Sequence, residues 1–250
     1  MLFGDHLCLV RGGGDLGTGV VLRLHRAGFP VAVCELAEPL AVRRTVAVST
    51  AVTDGEITVD GLTARRVEQV ADIGSAVALG VVPVLVSPEL PDMARSVVVD
   101  ARLAKHRLDT TILDASLVVA LGPGFVAGED CHAVVETLRG PRLGRVIWSG
   151  PASADTGVPG DGTVAWLRQI GDVVTTGQVL GRVAGREVTA TVGGLIRGLI
   201  GDGSSVSPGT KIGDIDSRGG EASVHEISDK ALAVGGGVVE AVLTWLGCNT

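Results

Sequence analysis

Two short stretches carry residue types and spacings that could do chemistry. The first is LVRGGGDLGTGV, positions 9 to 20. Gly12, Gly14 and Gly17 make a G-x-G-x-x-G pattern between a strand-like apolar run and a helix-like one. A second apolar run follows the helix and ends on Glu35. That is the setting of a dinucleotide-binding loop. Glycines let the backbone turn tightly and approach a ligand. The helix start offers free N–H groups and a positive dipole end to an anion. Glu35 suits a ribose diol. Asp15 pulls the other way, because a carboxylate in the first turn can cap the helix and repels a diphosphate. Arg11 is placed to offset part of that charge. Two readings stand: a phosphate-bearing ligand held by Gly12, Gly13, Gly14, Asp15, Gly17 and Glu35, or a plain strand-to-helix turn capped by Asp15.

The second stretch is VVALGPGFVAGEDCHAVVET, positions 118 to 137. A buried strand is expected to end in Gly122-Pro123-Gly124, and a helix to begin near Asp130 and run over 132–138. Cys131 and His132 would then lie in its first turn, where the dipole and unpaired N–H groups lower a thiol pKa. Glu136, one helical turn after His132, would share its face. Cys131 can thus be a reactive thiolate with His132 as its neighbour, a metal ligand with His132 and Glu136, or a packed core cysteine. The site reading takes Cys131 and His132 as catalytic candidates and assigns no metal.

The elements that must position these groups follow from the apolar pattern. HLCLV, PVAVCEL, VVPVLVS, SVVVDA, SLVVALG and GRVIWSG read as strands, and 15–27, 38–48, 68–79 and 228–246 as helices. Asp60–Gly61 between two alternating runs reads as a hairpin turn. Valine-rich strands without alternation, spaced by helices, imply a mostly parallel sheet covered on both faces. Ligands bind such sheets beyond the carboxyl ends of the strands. That rim would gather Arg11–Gly17, Glu35, Ser87, Asp100–Arg102, Gly122–Gly124 and Ser149–Gly150, with Arg43, Arg44 and Arg102 as anion partners. Gly122 and Gly124 join the cofactor-binding candidates, as do Arg43 and Arg44.

The style changes at Pro159–Gly160. GTVAWLRQIGDVVTTGQVLGRV, from Gly162, can be laid over GLIRGLIGDGSSVSPGTKIGDI, from Gly194. Gly171 then falls on Gly203, Gly177 on Gly209 and Gly181 on Gly213. The repeat implies two similar β-units packed face to face. The expected division is residues 1–158 as a Rossmann-like α/β domain and 159–217 as a small all-β domain. Residues 218–250 are expected to return to the first domain as a strand (ASVHEI) and a helix.

Composition excludes several classes. The chain has 250 residues, 46% hydrophobic, 20% charged, with a net charge of −7. Aromatic residues make up 2% and tyrosine is absent. Nucleic-acid binders need phosphate-neutralising charge and stacking rings, and both are scarce here. The lack of tyrosine rules out a Tyr–Lys pair for hydride chemistry. No leader peptide and no apolar run long enough to span a bilayer is read, so no membrane partner is expected. The four cysteines lack C-x-x-C spacing, and a reduced, cytoplasmic setting is expected.

Several long motifs carry a family resemblance: RGGGDLGTG, PLAVRRTVAVSTAV, LGPGFVAGEDCHAVVET, LGRVIWSG with TGVPG, and SDKALAVGGGVVEA. Together they resemble the YqeB-type accessory proteins associated with selenium-dependent molybdenum hydroxylases, over nearly the whole chain. Gly17 stands where the family leads one to expect alanine, a difference expected to change the loop little. The resemblance implies a maturation factor whose partner is a molybdenum hydroxylase apoenzyme. It also implies kinship with the nucleotide-fold part of XdhC-type proteins. The ligand would be an anionic small molecule, a nucleotide or a molybdopterin-type cofactor, and Cys131 would suit selenium or sulfur handling. IGDVVTTGQVLGRV resembles the turn of a biotinyl/lipoyl-like barrel-sandwich. The connecting stretch VAGREVTATVGG lacks the carrier lysine, so a swinging covalent cofactor is not expected. The competing functions are an NAD(P)-dependent oxidoreductase, with His132 as acid–base, and a non-catalytic binding module. The chain leaves room for a homo-oligomer.

Overall fold

The computed structural model describes residues 1–105, 108–153, 162–207, 210–218 and 223–249. The expected boundary at 158/159 and the TGVPG motif lie outside the described residues.

The first half builds one nine-stranded mixed sheet. In chain order its strands are β1 (Cys8–Arg11), β2 (Val31–Glu35), β3 (Glu56–Val59), β4 (Leu62–Val67), β5 (Val82–Val86), β6 (Val97–Asp100), β7 (Leu117–Leu121), β9 (Ala133–Val135) and β10 (Val146–Ile147); the short β8 (Val126–Ala127) lies outside it. Their spatial order is β10-β9-β7-β6-β1-β2-β5-β4-β3. The seven inner strands are mutually parallel, and the two outermost, β3 and β10, pair antiparallel. The hairpin β3–β4 turns on Asp60 and Gly61, both at positive φ (48° and 78°), the geometry a tight hairpin requires.

In β1, β2, β5, β6, β7 and β9 the residues are buried on both faces, which is why their pattern lacks alternation, whereas the hairpin strands β3 and β4 leave one side partly exposed. Cys8, Val10, Val97, Val99, Leu117 and Val119 face helices α1 (Asp15–Arg26) and α4 (Asp229–Asn249). Those helices meet almost backbone to backbone. A Cβ on Gly19 would lie 2.2 Å from the Ala231 carbonyl oxygen, and one on Gly235 2.4 Å from that of Gly19. Among the described residues α4 is long and apolar enough to cross a membrane by length and composition, yet Ala231, Val234, Val238, Ala241 and Val242 on it are buried in the core. The other face of the sheet is covered by the short α3 (Ile73–Ala78) on one side. On the other it is covered by the segment 125–131 and the ribbon of β8 with β11 (Gly150–Pro151).

Four expectations are corrected. Residues 38–48 form no helix but a strap, with 3-10 turns at Arg44–Val46 and Val48–Thr50 leading to the single turn α2 (Ala51–Asp54). Its side chains serve partners on different sides, as described below. The helix read over 68–79 shrinks to a 3-10 turn at Val70–Asp72 and the short α3. Residues 132–138 hold strand β9, because Ala133, Val134 and Val135 are buried beside β7. Finally, the described part of ASVHEI, 223–227, is not a strand. The Ser223, Val224 and Glu226 carbonyls accept from Arg43 and Thr45 side chains instead of a neighbouring strand.

The second half adds strands β12 (Gly162–Trp166), β13 (Val173–Val174), β14 (Val179–Val183), β15 (Arg186–Thr189), β16 (Gly194–Leu199), β17 (Ser205–Val206) and β18 (Gly213–Asp216). They form a four-stranded sheet, β15-β14-β12-β17, and a three-stranded one, β13-β16-β18. The repeat is visible in the pairing. Gly162 pairs with Val206, and at the equivalent place in the second unit Gly194 pairs with Val174. The N–H of Gly171 donates to the Ile196 carbonyl, and that of Gly203 to the Val164 carbonyl. Each unit therefore lends its middle strand to the other, giving an internal two-fold relation. The aligned position Gly209 lies outside the described residues.

Candidate functional site

The chain changes sides of the sheet between β1 and β6: after β1 and β2 it crosses to the far edge at β3, works back through β4 to β5, then returns to lay β6 on the other side of β1. The crevice beyond the carboxyl ends of these strands is the switch point at which open α/β sheets bind ligands. The glycine loop sits there. Gly12 has φ 94°, and a Cβ on it would be 3.2 Å from the Ala101 carbonyl carbon. A Cβ on Gly17 would lie 2.1 Å from the Gly12 oxygen. Alanine at 17 therefore does not fit without backbone movement, against the expectation of a neutral exchange. Gly13 packs on Ser49, whose N–H donates to the Gly13 carbonyl at 3.0 Å. Gly14 is the N-cap of α1, with no side-chain cap bond and open space beside it.

Two acidic groups line the loop. The Glu35 carboxylate accepts from the Gly13 N–H and the Leu36 N–H, each at 2.7 Å. Burial pushes its pKa up, while the Leu36 and Gly13 N–H groups pull it down. Asp15 does not cap the helix. It accepts from Arg43 at 3.0 Å, so its charge is balanced by Arg43 and not by Arg11.

Arg43 is a seam residue, 3% exposed. Besides Asp15 it donates to the carbonyls of Glu226 (2.8 Å) and Ser223 (3.5 Å). Arg44 turns the other way, to the Leu199 carbonyl on β16 at 3.0 Å. The strap thus ties the glycine loop, the segment before α4 and the second-half sheet together. The structure brings Gly12, Gly13, Gly14, Asp15, Gly17, Glu35 and Arg43 into one place and leaves Arg44 outside it. Gly122 (φ 74°) and Gly124 (φ 105°) turn the chain at the carboxyl end of β7, two strands from β1.

Beside the loop lies a network that only Arg11, Asp100 and Arg102 announced. Arg11, 2% exposed, donates to Thr110 Oγ1 (2.7 Å), the Pro88 carbonyl (3.0 Å) and Asp109 Oδ2 (2.6 Å). Arg102 reaches Asp109 Oδ1 at 2.8 Å and the fully buried Asp100 at 2.5 Å. Thr110 donates to Asp100 at 2.6 Å. Asp109 feels some burial, but the hydrogen bonds from Arg11 and Arg102 hold its carboxyl well below the usual range. Sequence reasoning missed Asp109 and Thr110, since KHRLDTTILD has no pattern that marks them.

Cys131 and His132 are elsewhere. In the parallel register Ala133 faces Val119 and Val135 faces Leu121, so Cys131 lies at the amino end of its strand. At ~3.3 Å per residue it is roughly 13 Å or more back from the rim. Its side chain is fully buried among Val98, Val118, Ala120, Phe125 and Ala127. Burial, with the Asp130 charge, pushes the thiol up to about 12. The helix start that would have lowered its pKa does not exist. His132 pairs with β7: its N–H donates to the Val118 carbonyl and its Nδ1 accepts from the Val118 N–H, both at 2.9 Å. Burial lowers its pKa. Glu136 does reach the rim, where its carboxylate accepts from the N–H groups of Leu138 (2.8 Å) and Ser153 (2.9 Å). Along a strand, positions 132 and 136 are ~13 Å apart, so the Cys131–His132–Glu136 metal set cannot converge. Among the described residues no group of three His, Cys, Asp or Glu side chains is placed to hold a metal.

These features define an α/β protein with a glycine loop at the switch point of a mostly parallel sheet and small antiparallel sheets after it. The chain is 44% identical over 258 residues to "Uncharacterized protein YqeB" of Escherichia coli (strain K12), a match across 96% of this chain and 48% of that protein. That identity supports a YqeB-type family for the chain, which spans about half the length of this curated relative. No protein-family model matches. A solved structure, "Peptidyl tryptophan dihydroxylase QhpG essential for tryptophylquinone cofactor biogenesis", aligns with 66% of this chain and 38% of its own at 16% identity and a TM-score of 0.22. An overlap that low carries no argument.

Proposed function

We propose that the chain is a cytoplasmic accessory protein in the maturation of a selenium-dependent molybdenum hydroxylase, and that it binds an anionic cofactor or nucleotide at the glycine loop. The observation that carries the binding half is the uncapped start of α1 beside Gly12–Gly14 at the β1/β6 switch point. Backbone N–H groups and the helix dipole there favour an anion. In this reading the first half acts as a Rossmann-like binder, and the repeat region as a barrel-sandwich unit that faces the apoenzyme. The maturation half rests on the motif resemblance. Glu35 would exchange its bond from the Gly13 N–H for a ligand hydroxyl. Cys131 has no part in the reading, because its sulfur is neither exposed nor on the rim.

The test has two arms. Calorimetric titration with nucleotides, dinucleotides and a molybdopterin-type cofactor should give binding to at least one, weakened by Gly14→Val. Affinity capture should recover a molybdenum hydroxylase apoenzyme, and a strain lacking the protein should make inactive hydroxylase. No binding in the first arm removes the ligand half. A fully active hydroxylase in the second removes the maturation half.

A further inference from the structure

We infer that Arg11 and Arg102 form the subsite for a compact oxyanion, a phosphate-type group, and that Asp109 occupies this subsite as an internal stand-in. The inference rests on the proposed anionic ligand and says where its charged group is held.

The geometry is specific. Each oxygen of the Asp109 carboxylate takes one guanidinium: Oδ2 accepts from Arg11 at 2.6 Å and Oδ1 from Arg102 at 2.8 Å. Two forks converging on two oxygens of one group is how arginines read carboxylate and phosphate. The rest of the subsite is already built. Thr110 Oγ1, fully buried, joins both guanidinium groups at 2.7 and 2.9 Å and donates to Asp100. Asp100 neutralises Arg102 from below.

Burial separates the permanent from the exchangeable part. Arg11 is 2% exposed and its other partners, Thr110 and the Pro88 carbonyl, are neutral. Its charge is therefore answered by a carboxylate that is itself 53% exposed. A buried cation whose counter-ion faces water can exchange that counter-ion without unpacking the sheet. The position also suits the ligand. Arg11 immediately precedes Gly12, and the Gly12 backbone packs closely on that of Ala101–Arg102, so the subsite shares the carboxyl-end rim with the glycine loop. Cys8 and Val10 pack toward α1 whereas Leu9 does not, so by strand alternation the Arg11 side chain reaches that rim from the sheet face opposite α1.

Inorganic phosphate and pyrophosphate are the probes, with the full chain and its Asp109→Asn variant compared by calorimetry and thermal melting. In a buffer without multivalent anions the variant should melt below the wild type, since Arg11 has lost its counter-charge. Phosphate should restore that loss, and the variant should bind phosphate at least tenfold tighter than the wild type. Adding Arg102→Gln to the variant should abolish the gain. If Asp109→Asn does not fold, Asp109→Ser gives the same comparison. Equal phosphate affinity in wild type and variant overturns the subsite. A gain that survives Arg102→Gln overturns it too, as an adventitious ion only. If the wild type still binds a nucleotide in either of those cases, the subsite alone has failed. If it binds none of the anionic ligands tried, the reading beneath it has failed.

Discussion

Thiol reactivity separates Cys131 as a core residue from Cys131 as a nucleophile. All four cysteines are free; Cys8, Cys34 and Cys131 are buried and Cys248 is exposed. Attack by a thiol needs the thiolate. At pH 8 an ordinary thiol of pKa ~8.5 is roughly one quarter ionised. With burial pushing Cys131 to about 12, the ionised share falls to roughly one part in ten thousand, about 2,000-fold less by the same relation. Cys8, also pushed to about 12, and Cys34, to about 11, follow the same logic. A disulfide reagent should therefore label Cys248 rapidly in the native protein. The other three should react at the rate at which the structure opens, rising steeply with denaturant. Peptide mapping of the labelled protein assigns each site. Modification of Cys131 within tenfold of the Cys248 rate would refute the burial argument and restore the thiol to the mechanism. Cys131→Ser should cost ~1–3 kcal/mol for placing a hydroxyl in this apolar cluster and leave ligand affinity unchanged.

Further perturbations test the seams. Gly17→Ala should cost ~1–3 kcal/mol as overpacking against the Gly12 carbonyl, a fall in Tm of about 2–4 °C per kcal/mol for a chain of this size; an unchanged Tm would mean the loop yields freely. Arg43→Met should lower stability in urea by ~1–3 kcal/mol, because the Glu226 carbonyl loses its donor and Asp15 its partner, and hydrogen exchange should rise at 223–227. An unaffected variant would show that the strap is not what ties the segment down. Acid sensitivity has a defined sign. Asp109, Asp216 and Asp229 are depressed below 3.8, Asp229 to about 2 and the other two further, so their stabilisation is complete above pH ~4 and is lost progressively as pH falls below it, the Asp229 share by pH ~2. Glu35, raised by burial, works in the opposite direction. Asp216→Asn should weaken the protein at neutral pH and make its Tm decline between pH 4 and 2 shallower; an identical decline would assign acid unfolding elsewhere.

Much of the fold was legible in the sequence because it depends on local pattern. Valine-rich runs without alternation specify strands buried on two faces, and the glycine spacing at 12, 14 and 17 specifies a sharp turn into a helix. The repeat from Gly162 and Gly194 shows two like units, since aligned glycines mark aligned turns. The Asp60–Gly61 hairpin needs nothing beyond its own dihedrals. Other features depend on partners that a linear pattern does not name. CHAVVET fits a short helix or a buried strand equally well, and only the free edge beside β7 made it a strand. That choice moved Cys131 from a helix start to the core and separated it from Glu136. Neighbours in sequence, Arg43 and Arg44, were sent to opposite sides by the packing of the strap. The pairing of Arg11 with Asp109, across 98 residues, exists because the returning strand β6 lies beside β1. Local sterics and burial pattern are written in the chain, whereas the convergence of charges at the rim is a property of topology, which only the folded structure supplies.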